Sequence, residues 1–165
     1  MNTKENVLSK LSLGLNRERT AYKVVGIVSL ILAILLIVFG FISMVSGAYL
    51  TATETESYEF DSNIYSDNFD SYEIDITDED VAILAGASVV FLGGFYFGFG
   101  FSLLAIAIVN LCLASRAGKH LKDSELTVKH AGSVGSIVLA ALFNEIALIF
   151  VVINFVTAKK NRNVL

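Results

Sequence analysis

VVGIVSLILAILLIVFGFISMVSGAYL, residues 24–50, decides the fold class. It carries no charged side chain over 27 residues. About 20 such residues, rising 1.5 Å each, cross a hydrocarbon core of roughly 30 Å. A buried helix of a soluble domain is shorter and keeps a polar stripe. This block therefore predicts a transmembrane helix. Its apolar run is too long for the core of a secretory signal, so it reads as an uncleaved anchor.

Two further blocks share that composition. Residues 81–114 carry no charge, and residues 131–158 carry one, Glu145. The expected fold is an all-α membrane protein, a small bundle of three transmembrane helices at residues 24–50, 81–114 and 131–158. The alternative has four, with residues 81–114 bent into a hairpin near Gly93-Gly94. Length favours three, because 34 residues divided in two leave spans below about 20 each. No Pro, Asn or Asp near the middle of that block opens a turn. The chain has no proline at all, so straight helices are expected.

Lys and Arg near span ends set orientation. The leader, residues 1–23, holds five, the linker 51–80 none, the linker 115–130 four, and the tail 159–165 three. Three spans with a cytoplasmic N-terminus put nine inside and three outside; four spans put eight inside and four outside. The basic tail is the point of tension in the three-span reading. The absence of Trp, Pro and glycosylation sequons points to a prokaryotic plasma membrane.

The polar segments carry their own patterns. In the leader, Asn2 and Glu5 have capping-box spacing, and Leu8, Leu11 and Leu15 share one helical face. An amphipathic segment on the inner leaflet fits that pattern. The linker 51–80 holds eleven acids and no base. Within it Tyr58-Glu59-Phe60-Asp61 is echoed by Tyr72-Glu73-Ile74-Asp75. This alternation predicts a short β-hairpin that offers a cationic outer partner Tyr58, Glu59, Asp61, Tyr72, Glu73 and Asp75. Asp61-Ser62-Asn63 opens like a calcium loop, but Tyr65, Ser66 and Tyr72 then occupy ligand or glycine positions. In the inner linker, His120 and His130 with Asp123 and Glu125 lack metal-site spacing and read as interface histidines among lysines. Cys112 reads as a small packing residue.

Inside the membrane, Asn144-Glu145 falls at the centre of the third block. A carboxylate at a bilayer centre costs about 2.5–3.5 kcal/mol on insertion scales and usually faces a bundle interior. Glu145, with Asn144 and Asn110 as polar company, is the candidate intramembrane site. Three roles are open to it: proton or cation carrier, contact for another subunit's base, or hydrogen-bonded structural residue. Helix packing is expected at Gly94 and Gly98 (a GxxxG pair), Ser43 and Gly47, and Ser136 and Ala140. These suit a compact bundle or a homo-oligomer. The stretch from Ala141 to Leu148 resembles the proton-carrying helix of rotary-ATPase proteolipid subunits. That resemblance would place a proton site on Glu145. It is confined to residues 81–158, and the bulky Phe91, Phe95, Phe97, Phe99 and Phe101 depart from the family's small-residue helix.

No catalytic cluster or nucleophile elbow is present in the sequence, and nothing in it calls for a cofactor, a metal or nucleic acid. The expected function is that of a non-enzymatic accessory, sensing or partner-binding membrane protein. The alternative is a small proton- or cation-linked transporter subunit that uses Glu145.

Overall fold

The computed structural model describes residues 3–55 and 78–165. These form five helices: α1 (Thr3–Thr55), α2 (Asp78–His120), α3 (Ser124–Ala131), α4 (Val134–Phe143) and α5 (Glu145–Lys160). No strand occurs among the described residues. The predicted outer hairpin and its six candidate contact residues lie outside them. Two helices, α1 and α2, are long and apolar enough to cross a membrane. Their outward faces are apolar too, with Leu35, Phe41, Phe91 and Phe95 all exposed, as suits helices in contact with lipid.

The helices divide between two compact units, Ile34–Phe101 and Met1–Ala33 with Ser102–Leu165. In the first, α1 and α2 run antiparallel and touch through glycine. A Cβ on Gly40 would lie 2.5 Å from the Phe97 nitrogen, and one on Gly93 2.7 Å from the Met44 nitrogen. A Cβ on Gly47 would lie 2.7 Å from the Gly86 oxygen. Seven residues separate the glycines on each helix, so every second turn presents bare backbone to its neighbour. Phe39 packs edge-on to Tyr96 beside this seam, with ring centroids 5.5 Å apart. A Cβ on Gly94 or Gly98, both expected to pack, would meet nothing within 4 Å beyond its own stretch of helix. They sit about 100° and 140° round the helix from Gly93, off the seam. Gly47 is buried in the seam, and Ser43 is half-buried.

In the second unit, the leader part of α1 buries Val7, Leu11, Leu15, Glu18 and Tyr22, a stripe at three- and four-residue steps. Small residues of α2 (Ala107, Ala114 and Ala117) are buried in the same unit. The straight helix expected over residues 131–158 does not form. A Gly132-Ser133 turn bends α3 from α4 by 67°. Asn144, in extended conformation (φ −162°, ψ 92°), then separates α4 from α5. Ala131 and Ala158 share one cluster with Val7 and Leu11. A continuous helix would hold those two alanines about 40 Å apart, so the chain has folded back on itself. α5 runs antiparallel to the leader: Ala147 and Val151 cluster with Ala21 and Tyr22, and Asn154 packs on Gly14. At about 15 Å and 24 Å, neither α4 nor α5 alone matches a 30 Å core.

Candidate functional site

The buried stripe of the leader contains a carboxylate. Glu18 falls between Leu15 and Tyr22 on the inward face and is only 1% exposed. Its Oε1 lies 2.9 Å from Nε2 of His130, in the last turn of α3. The other ring nitrogen of His130, Nδ1, lies 3.1 Å from Nδ1 of His120, the last residue of α2. Three elements thus meet in one chain: carboxylate, imidazole, imidazole.

Local chemistry holds the two histidines together. Asp123 caps α3, accepting from the Glu125 amide at 2.8 Å. The Thr127 hydroxyl, one turn on, donates to the His120 and Asp123 carbonyls at 2.8 and 2.9 Å. The turn between α2 and α3 is therefore pinned, and the ten residues from His120 to His130 return the rings to a centroid distance of 5.0 Å.

The proton positions follow once Glu18 is taken as ionised. An ionised Glu18 only accepts, so His130 carries its proton on Nε2 and accepts at Nδ1. His120 then donates from its own Nδ1. The contact between the two Nδ1 atoms holds one proton. A second would set two N–H donors face to face and break it. Burial, above all, then His130 and Arg116, lower the His120 pKa from its usual 6.5, against the opposing pull of Glu18. His120 lies past the apolar part of α2, among Arg116, Lys119 and Lys122.

A cavity of about 80 Å³ adjoins the chain, lined by Glu18, Tyr22, Arg116, His130, Ser133 and Ser136. It has room for a few waters. The second Glu18 oxygen, Oε2, is buried without a hydrogen-bond partner. Leaving such a group unsatisfied costs about 1–3 kcal/mol. Both ring nitrogens of His130 are engaged, so neither is free to activate a nucleophile. Among the described residues, no group of three His, Cys, Asp or Glu is arranged to hold a metal ion.

The structure brings together two of the three polar residues expected to share an intramembrane site. Asn144 donates from Nδ2 to Oδ1 of Asn110 at 2.8 Å, and Asn110 donates to the Phe143 carbonyl at 3.1 Å. Asn144 Oδ1 accepts from the Ala147 amide at 2.9 Å, capping α5. The pair therefore anchors the fold-back between α4 and α5. Glu145 stands apart, exposed in the first turn of α5, where a helix N-terminus favours an anion. Ser136 and Ala140 are both buried, Ala140 in the cluster around Tyr22.

The sequence reading missed Glu18, and it read His120 and His130 only as interface residues. Glu18 was detectable, since Leu15, Glu18 and Tyr22 continue the Leu8, Leu11, Leu15 face. The histidine pairing was not, because it depends on the α2–α3 turn. Compared with known proteins, the chain matches no family model, no curated protein and no solved structure.

Proposed function

We propose that this chain is a non-enzymatic, multi-pass membrane protein that senses pH on its cytoplasmic side. The observation that carries this reading is the Glu18–His130–His120 chain, whose carboxylate is buried and whose two rings are half-buried. It joins α1, α2 and α3 through a contact that holds one proton and breaks when both Nδ1 atoms carry one. Histidine is the side chain whose ordinary pKa lies in the physiological range, between about pH 5 and 8. The groups facing the pair are Glu18 and Tyr22 from α1 and Arg116 from α2.

In this proposal α1 and α2 cross the plasma membrane, and the α4–α5 hairpin stays on the cytoplasmic side with both termini. All twelve Lys and Arg lie within residues 1–33 and 102–165. Two spans put every one of them inside, where three spans leave three outside. The acidic linker then faces outward, available to a cationic partner.

Imidazole nitrogen-15 shifts of the reconstituted protein test the sensing role. The His120 ring should take up its second proton below the ordinary histidine range, and Glu18→Gln, which removes the opposing pull, should lower that point further. A His120 ring that protonates near its ordinary 6.5 in both proteins would remove the basis for the proposal.

A further inference from the structure

The unit formed by Met1–Ala33 and Ser102–Leu165 holds twelve bases against five acids, a net of +7. It also exposes an apolar face. Val134, Val138, Leu142, Ile149, Ile153 and Val156 of α4 and α5 are all more than half exposed, between 51% and 69%. A face so apolar on a unit so basic has the composition of a surface that meets anionic lipid.

One groove gives that pairing a specific place. It has a volume of about 420 Å³ and lies where α3, α4, α5 and the tail converge. Val134, Phe155, Ala158 and Leu165 supply its apolar lining, and Lys159 and Arg162 its two cations. The Lys159 ammonium is 5.8 Å from the Phe155 ring centroid, which holds the charge beside the apolar lining. Val134 belongs to both the groove and the exposed face, so the two are continuous.

We infer that this groove binds an anionic phospholipid of the inner leaflet. Its phosphate would meet Lys159 and Arg162, and an acyl chain would lie against Val134 and Phe155. Arg presents a forked donor and Lys a point charge, and both recognise phosphate. A free phosphate would leave the apolar lining and the adjoining exposed face uncovered. The inference rests on the proposed placement of the α4–α5 hairpin beside the cytoplasmic leaflet.

The chain contains no tryptophan, so a single one reports locally. Phe155→Trp protein is reconstituted in phosphatidylcholine vesicles with brominated phosphatidylglycerol or, at the same mole fraction, brominated phosphatidylcholine. The brominated anionic lipid should quench several-fold more strongly. Lys159→Gln with Arg162→Gln in the Phe155→Trp background should bring the ratio to one. Phe91→Trp, 76% exposed in the other unit, serves as the lipid-facing control and should show no preference. Equal quenching of Phe155→Trp by both lipids overturns the anionic site but leaves the hairpin at the membrane. Absence of quenching at Phe155→Trp, with Phe91→Trp quenched, overturns the placement as well.

Discussion

Glu18 costs the bundle an apolar position, and in the proposed sensing role it forms part of a proton-dependent joint. Its value depends on the state of the two histidines. In the folded chain the His120 pKa is lowered, chiefly by burial and then by His130 and Arg116. The unfolded chain therefore takes up that proton first. The contribution of His120 to stability is complete above its ordinary pKa of about 6.5. It is lost as pH falls through that value toward the lower, folded one. The unfolding midpoint in detergent should thus fall on acidification from about pH 7 to 5. His120→Gln should flatten that slope. A midpoint equally pH-dependent in both proteins would show that another group carries the effect.

At the scale of elements, the glycine seam makes a sharp distinction. Gly40→Ala would place a Cβ 2.5 Å from backbone on α2, so the helices must move apart. Overpacking of this kind costs about 1–3 kcal/mol. Gly94→Ala meets nothing within 4 Å and removes a helix-interior glycine, so it should be neutral or stabilising by up to about 1 kcal/mol. Parallel unfolding of the two variants checks this. Equal destabilisation would mean that Gly94 packs against another copy of the chain. The GxxxG spacing was visible in the sequence but was the wrong signal for packing within the chain. The seven-residue spacing of Gly40 with Gly47, and of Gly86 with Gly93, was equally visible. It identifies the seam only when both helices are compared in antiparallel register.

For the whole molecule, the test concerns sidedness. In a Cys112→Ser background, single cysteines at Ser66, Ser124 and Asn163 are probed with an impermeant thiol reagent on intact cells. Two spans with a cytoplasmic hairpin predict labelling at Ser66 alone. Labelling at Ser66 and Asn163 would restore the third crossing, and labelling at Ser66 and Ser124 would mean four spans. The basic tail had already pointed to this question, since the three-span reading left its three bases outside. The fold-back of residues 131–158 removes the conflict by returning the tail to the side of the leader.

Sequence alone determined that the chain holds helices long and apolar enough to cross a membrane and where its charges fall. Both follow from composition along the chain, because an uncharged run longer than a bilayer is thick has one low-energy solution. Glu145 attracted attention for the same reason: distance along the chain put it at the centre of a presumed straight span. Only the tertiary structure decided that the third block breaks at Asn144. There the side chain of Asn144 satisfies α5 locally and Asn110 at a distance, replacing the backbone bonds that a continuous helix would make. Tertiary structure alone also assembled Glu18, His130 and His120. Their proximity rests on the ends of α2 and α3 meeting the inward face of α1, a property of packing that no spacing along the chain encodes.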